Sequence, residues 1–258
     1  MSHQRIDNEV LNQQFHTYQG MGKKKKPPVE ARHVAWILQM RKPESLTLLQ
    51  FIQALVILLL GWQLFNRAQD FEEFDLCDFE DIGSELIVTV RYAKNDPRGL
   101  TRTARVQATG GSACPVGLWR KYTGMMGLRR ASGCDKVKGE PQRCSCCGPA
   151  FPSVWKKGKQ NHRMPKAQVT LRIRALFVAL ADNGRMTMEE ALQYSAKSLR
   201  CGGVSQAAGE AVRDGVLQGH GGWLQRTSLR HYDLMRESEG LCVSGALNAA
   251  VERWRFDV

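Results

Sequence analysis

Apolar residues fill nearly every position from residue 46 to residue 60, with Gln50 and Gln53 as the polar interruptions. A helix that is apolar on all sides belongs inside a core, so this run predicts a long central helix over residues 46–66. The run is shorter than the roughly 20 residues needed to span a bilayer. It therefore predicts a buried helix and not a membrane anchor.

Further helices are predicted on both sides of this run. Thr187-Met-Glu-Glu190 fits a capping box, in which a hydroxyl and a carboxylate satisfy reciprocal backbone donors, and it opens a helix over residues 188–195. The other predicted helices cover residues 29–40, 67–74, 115–122, 167–180, 197–212 and 241–254. The last of these is a candidate for docking on a neighbouring protomer or, alternatively, an ordinary core helix.

Two segments have the composition of strands. Residues 86–92 are rich in β-branched side chains, and residues 103–108 can return beside them. The turn signature Asn95-Asp-Pro-Arg-Gly99 lies between them. This pattern predicts an antiparallel hairpin with Lys94 at its tip. The predicted fold class is therefore mainly α with a small antiparallel β-sheet.

A basic run, Lys23–Lys26, is followed by two prolines that a helix cannot cross. We predict a polar N-terminal segment with a basic linker over residues 1–28 and one folded domain over residues 29–258. Within that domain, residues 129–166 are rich in Gly, Pro, Lys and Cys, which predicts a long loop or insertion.

The chain carries 37 Lys and Arg against 25 Asp and Glu, a net charge of +12. A globular chain this basic is expected to meet a polyanion, with nucleic acid as the leading candidate and an inert basic surface as the alternative. No signal peptide opens the sequence, so its eight cysteines are expected to be reduced.

Four cysteines lie within the predicted insertion. Cys134, Cys144, Cys146 and Cys147 could bind zinc, but the C-x-C-C ending differs from the usual knuckle. Reduced, unliganded thiols are the favoured interpretation, and no metal ligand or cofactor is predicted.

One ordered set of side chains suggests a reaction. Along the chain come Arg67, Lys94, Lys197-x-x-Arg200, His220 and Tyr232. Guanidinium groups donate parallel hydrogen bonds to phosphate oxygens, and a tyrosine can attack phosphorus if neighbouring cations favour its ionised form. His220 lies between two glycines and is predicted to sit in a turn, which is unusual for a core histidine. Each residue alone is better explained as an ordinary surface or packing residue, but together they suit metal-free cleavage of a phosphodiester.

This order resembles the catalytic domain of the tyrosine recombinases, also called phage-type integrases. Asn66-Arg67-Ala-Gln-Asp70 resembles the first arginine box of that family. Ser198-Leu-Arg200-Cys-Gly-Gly, His220-Gly-Gly-Trp223 and Cys114-Pro115-Val116 resemble recombinases of eukaryotic mobile elements, such as DIRS-type retroelements and Cryptons. The resemblance extends from about residue 27 to residue 232.

The resemblance implies a role for each residue. Arg67 and Arg200 clamp the phosphate, and Tyr232 forms a 3′-phosphotyrosine. His220 binds phosphate and assists deprotonation, while Lys94 protonates the leaving 5′ oxygen. Lys197 contacts phosphate or acts as a base. In the same way, Asp70 orients the first arginine and Trp223 packs near the phosphate.

The resemblance also implies site-specific recombination or integration of double-stranded DNA by a tetramer, with no cofactor, membrane or small-molecule substrate. Nuclear localisation is expected in a eukaryote, and otherwise a cytoplasmic or nucleoid one. Three features depart from the family. The spacing from His220 to Tyr232 is longer, only about 22 residues precede the linker, where members carry a DNA-clamping domain, and residues 129–166 are longer than a simple connector. A catalytically silent DNA-binding remnant, or a basic RNA-binding or structural protein, are the alternatives.

Overall fold

The computed structural model describes residues 26–90, 102–111, 113–132, 134, 144–155, 158–210, 212–221 and 237–254. The described chain is mainly helical, with two small antiparallel sheets. The predicted fold class is therefore confirmed. The helices are α1 Ala31–Gln39, α2 Leu48–Gln63, α3 Ala68–Glu73, α4 Pro115–Met126, α5 Lys166–Asp182, α6 Met188–Gln193, α7 Ala196–Gly209, α8 Asp214–Gly221 and α9 Glu237–Arg253. The strands are β1 Phe79–Asp81, β2 Glu85–Val90, β3 Arg102–Gln107, β4 Pro152–Trp155 and β5 Gly158–Arg163, and a 3₁₀ turn covers Leu76–Asp78.

Helix α2 is the centre of the core, as its apolar pattern predicts. Every residue from Gln50 to Gln63 is buried, and α2 packs against α4, α5 and α7. Thr47 caps its first turn by accepting the Gln50 N–H at 3.2 Å. Among the described residues, no helix has both the length and the apolar character that crossing a bilayer requires.

The polar residues inside α2 are paired with other elements. The Gln50 side chain donates to the Val154 carbonyl at 3.0 Å, and Gln53 donates to the Pro152 carbonyl at 2.9 Å. At the other end, Gln63 donates to the Asn248 side chain at 2.5 Å. These bonds lower the cost of burying polar amides, which explains how a core helix tolerates three glutamines.

The three-stranded sheet has the order β1-β2-β3. The predicted hairpin is present, with Val90 opposite Arg102 at the end of the ladder. The short edge strand β1, which the sequence pattern did not predict, adds Phe79 opposite Val88. Phe79 stacks on Trp119 of α4 with ring centroids 4.2 Å apart, so this strand joins the sheet to the helical core.

The segment predicted as a long loop contains regular structure. Strands β4 and β5 form a second antiparallel hairpin, and the Met164 N–H donates to the Phe151 carbonyl at 3.0 Å. Phe151 is fully buried and stacks on Tyr122 with centroids 5.6 Å apart. The prediction of an irregular segment over residues 129–166 is therefore wrong for its second half. Strand β5 has the sequence Gly-Lys-Gln-Asn-His-Arg, and a short strand without apolar residues gives no periodic signal.

The last helix, α9, is folded onto its own chain. Val243, Leu247 and Ala250 are fully buried, and Ser244 accepts the Gln107 N–H at 3.0 Å. Helix α9 packs on β3 and on α1, α7 and α8. Of the two interpretations of this segment, the core helix is the one that the structure favours.

Candidate active site

The first arginine of the site lies at a sharp exit from the central helix. After α2 ends, Phe65 adopts a left-handed conformation with φ of 54°, which is strained for a bulky residue and costs of order 1–3 kcal/mol. This turn allows Arg67 to begin α3 as its N-cap. Its N–H donates to the Asp70 carboxylate at 2.7 Å, so Asp70 positions Arg67, as the sequence predicted.

The second arginine reaches the same turn from helix α7. The Arg200 guanidinium donates to the Phe65 carbonyl at 2.9 Å and to the Gly221 carbonyl at 3.1 Å. Burial, followed by the positive charges of Arg67 and Arg102, lowers the pKa of Arg200 to about 10. Arg67 and Arg200 are thus close enough to repel each other, although they come from separate parts of the sequence.

A third arginine, which the sequence analysis did not select, completes this group. Arg102 begins β3 and donates to the Leu64 carbonyl at 2.8 Å, to the Asn66 side chain at 2.9 Å and to the His220 carbonyl. The sequence around Arg102 contains no motif that would mark it as a site residue. The available clue was its position just after the predicted turn, because connecting segments often carry functional residues.

The carboxylate of Asp70 lies among the three guanidinium groups. Burial raises the pKa of Asp70, while the hydrogen bond from Arg67 and the charges of Arg102, Arg67 and Arg200 act in the opposite direction. We call Arg67, Asp70, Arg102 and Arg200 the arginine cluster. Three cations around one carboxylate leave an excess of positive charge, and a phosphate is the ligand that such a cluster of forked donors suits.

Helix α7 reaches this position because it carries two glycines. A Cβ at Gly202 would lie 1.9 Å from the Val29 carbonyl oxygen, and one at Gly203 would lie 1.9 Å from the Trp62 carbonyl oxygen. The Val29 N–H donates to the Ser198 carbonyl at 3.0 Å on the same side of the helix. Close backbone contact therefore explains the Gly-Gly pair that follows Arg200. The same contact determines how closely α7 packs against Val29 and Trp62.

His220 does not present its imidazole to the arginine cluster. It lies in α8, not in the predicted turn, and it is only 1% exposed. Its Nε2 bonds the Gln63 carbonyl at 2.7 Å, and the ring packs edge-on against Phe65. Burial and then the charge of Arg102 lower the pKa of His220 to about 3, so the ring is neutral at pH 7. The placement in a turn is wrong, and the phosphate-binding role stays a prediction.

Lys197 lies on the outer side of α7. It is exposed, and its charge acts on Lys26, whose pKa is lowered by burial, by Arg174 and by Lys197. The last lysine of the basic linker thus lies near Lys197. Two lysines that face solvent together can contact DNA phosphates, which is compatible with the predicted phosphate role.

Lys94, Trp223 and Tyr232 lie outside the described residues. The described chain nevertheless breaks off beside the arginine cluster at the points from which it continues to these three residues. The segment that holds Lys94 joins Val90 to Arg102. The segment that holds Trp223 and Tyr232 begins after Gly221, whose carbonyl oxygen accepts from Arg200. Both segments are therefore anchored beside the group that would bind phosphate.

Among the described residues, one group of side chains could hold a metal ion, and it is a cluster of cysteine sulfurs separate from the arginine cluster. It consists of Cys77, Cys134, Cys144 and Cys147. The four cysteines considered from the sequence included Cys146 and did not include Cys77, which the 3₁₀ turn after α3 brings to the cluster. The Cys146 sulfur lies 3.2 Å from that of Cys144, but it is exposed and lies outside the group of four.

Solved structures of two recombinases and an integrase match this chain. The XerH site-specific recombinase, in a post-cleavage complex with a palindromic difH substrate, matches with a TM-score of 0.52 and 10% identity over 85% of this chain and 53% of the XerH chain. The integrase from mycobacterium phage Brujita matches with 0.49 and 16% identity, covering 93% and 66% of the two chains. XerA recombinase matches with 0.41 and 14% identity, covering 92% and 67%.

The chain thus spans about half the length of XerH. No protein-family model matches the sequence, and no curated protein matches it significantly. The XerH superposition defines the class of the fold as that of DNA site-specific recombinases. Within that class, the chain has the fold of a tyrosine recombinase catalytic domain, which confirms the family resemblance at the level of the fold.

Proposed function

We propose that this protein breaks and rejoins DNA in site-specific recombination or integration, through a 3′-phosphotyrosine at Tyr232. The observation that carries the proposal is the convergence of Arg67 and Arg200 from separate elements on one turn, beside Arg102 and Asp70. A convergent group of guanidiniums is the arrangement that stabilises the charge of a pentacoordinate phosphorus.

In the proposed reaction, Arg67 and Arg200 bind the nonbridging oxygens of one phosphate. The Tyr232 oxygen attacks phosphorus and passes its proton to solvent water, the bond from phosphorus to the 5′ oxygen breaks, and Lys94 protonates that oxygen. Rejoining is the reverse, with a 5′-hydroxyl attacking the phosphotyrosine. Because the covalent link keeps the energy of the phosphodiester, the residues need no nucleotide cofactor.

The structure suggests a positioning role for His220 in this scheme. Its carbonyl oxygen accepts from Arg102 and its imidazole holds the Gln63 carbonyl. His220 thereby fixes the end of α8, from which the chain continues to Tyr232. Lys197 and Lys26, both exposed, would contact neighbouring phosphates.

Covalent capture tests the proposal. We expect the full chain to form a denaturation-resistant complex with a library of nicked suicide duplexes, and the Tyr232→Phe variant to form none. The readout is labelled DNA shifted with the protein on a denaturing gel. Salt-sensitive DNA binding without any covalent product would reject the enzyme and favour the silent DNA-binding remnant, whereas absence of DNA binding would reject both.

Lys94→Ala tests the assigned general acid. We expect covalent capture to slow by about 10²–10⁴-fold, since a positioned proton donor contributes about that much. A substrate with sulfur in place of the bridging 5′ oxygen leaves without a proton and should restore the rate. Equal slowing on the oxygen and sulfur substrates would show that Lys94 is not the acid.

The mobile-element character, the tetramer on DNA and the nuclear location are parts of the same proposal. The tetramer follows from the resemblance to the tyrosine recombinases, whereas the mobile-element character and the nuclear location depend on the resemblance of the Arg200 and Trp223 segments to recombinases of eukaryotic elements. Light scattering of the protein with and without its captured DNA would test the assembly, since a complex that stays at one chain per duplex would contradict the tetramer.

A further inference from the structure

Four cysteine sulfurs meet beside the 3₁₀ turn that follows α3. The Sγ atoms of Cys77, Cys134, Cys144 and Cys147 all lie within 4.8 Å of one another, and those of Cys134 and Cys144 are 3.6 Å apart. A disulfide requires about 2.05 Å. Zinc bound tetrahedrally at about 2.3 Å from each sulfur places the sulfurs about 3.8 Å apart, so the spacing suits a metal ion.

Two of these cysteines form a metal-binding turn. Cys144 and Cys147 have the C-x₂-C spacing, and the Cys147 N–H donates to the Cys144 sulfur at 3.3 Å. Gly148 follows with φ of +68°, a conformation that favours glycine and lets the chain turn away. The motif was hidden in the sequence because Cys146 interrupts it and gives the appearance of C-x-C-C.

The third ligand is held against this turn by main-chain bonds. Cys77 lies in the 3₁₀ turn, where the Leu76 N–H donates to the Gly148 carbonyl at 3.1 Å. The fully buried Asp75 accepts the Cys144 N–H at 2.5 Å and is paired with Arg163. Hydrogen bonds of this kind fix the orientation of metal ligands, so Asp75 and the Gly148 carbonyl would support the site.

We propose that Cys77, Cys134, Cys144 and Cys147 bind one structural zinc ion. Four thiolates with no open position are the ligand set of a closed, noncatalytic zinc site. Such a site is separate from the metal-free chemistry proposed for the arginine cluster and does not depend on it.

The ion would link two parts of the chain that are distant in sequence. Cys134 and the Cys144–Cys147 turn follow α4, whereas Cys77 follows α3. Arg163 also donates to the carbonyls of Glu72, Glu73 and Phe74 at 3.1–3.3 Å, so the same network holds the end of α3. Zinc would thus stabilise the element that begins at Arg67.

Metal analysis of the full chain tests the site without DNA. We expect the protein, purified with a thiol reductant and free of strong chelator, to retain one zinc ion per chain. Cys77→Ser, Cys134→Ser, Cys144→Ser and Cys147→Ser should each lose most of it. Cys242→Ser, on α9, is the matched control and should keep it, since its side chain is exposed. Cys146→Ser should also keep it: the Cys146 sulfur lies 3.2 Å from that of Cys144 and 3.8 Å from that of Cys147, but it is exposed and lies outside the group of four.

Cobalt substitution keeps the test decisive if the serine variants do not fold. Wild-type protein that has been reduced and stripped of metal should bind one Co²⁺ with the visible bands of a tetrahedral site and thiolate charge-transfer absorption in the near ultraviolet. Retained zinc in Cys77→Ser with loss in Cys146→Ser would overturn the assignment. So would a wild type that binds neither metal, or fewer than eight free thiols in the metal-free chain.

Discussion

Arg200→Ala is expected to reduce covalent capture of DNA by about 10³-fold or more while most DNA binding remains. Loss of one preorganised donor at a developing anion costs about 10²–10³ in rate. Arg200 is also one of the two arginines, from different elements, that are proposed to bind the phosphate. Its loss would leave Arg67 as the remaining member of that pair. Binding should persist because the chain carries a net charge of +12 from many other cations.

Two controls separate catalysis from folding. Arg200→Lys keeps the charge but not the paired donors to Phe65 and Gly221, and we expect it to capture DNA at an intermediate rate. Lys121→Ala removes an exposed charge from α4 and should behave as wild type. Thermal unfolding of each variant reports stability. Capture by folded Arg200→Ala at the wild-type rate would remove this residue from the site.

Gly202→Ala should destabilise the protein by about 3 kcal/mol or more, because the added methyl group meets main-chain atoms that cannot rotate away. The new Cβ would lie 1.9 Å from the Val29 oxygen and 2.5 Å from the Val29 nitrogen. For a chain of this size the midpoint of thermal unfolding should fall by about 10 °C. Covalent capture should also fall, since Arg200 moves with α7.

Gly209→Ala is the matched control in the same helix. Nothing lies within 4 Å of a Cβ at this position, and the backbone does not require glycine there. Alanine in a helix gains about 0.5–1 kcal/mol over glycine, so this variant should be neutral or slightly more stable. Equal unfolding temperatures for Gly202→Ala and Gly209→Ala would contradict the close contact between α7 and Val29.

The sequence predicted the elements whose patterns are strong and local. The apolar run of α2, the capping box at Thr187 and the paired strands β2 and β3 all appear close to their predicted bounds. It could not predict the depth of α7, because the fit of Gly202 against Val29 depends on tertiary contact. The same reason explains Arg102, whose partners lie just after α2 and in α8.

Two errors have a common physical origin. Glycines on both sides of His220 suggested a turn, yet contacts with Gln63 and Phe65 hold this segment in helix α8. Similarly, the spacing of the neighbouring cysteines favoured unliganded thiols, but the fold brings in a further sulfur from Cys77, far away in sequence. In both cases tertiary packing overrides the local composition.

The glutamines of the central helix have a consequence for the reaction centre. A helix that is apolar on every side could pack at many rotations about its axis with similar burial. Gln50 and Gln53 bond the β4 backbone, and Gln63 bonds Asn248, so only one rotation about the axis pairs all three amides. The rotation of α2 about its axis also determines where the chain continues after this helix. It therefore determines the direction from which Arg67 would approach a phosphate.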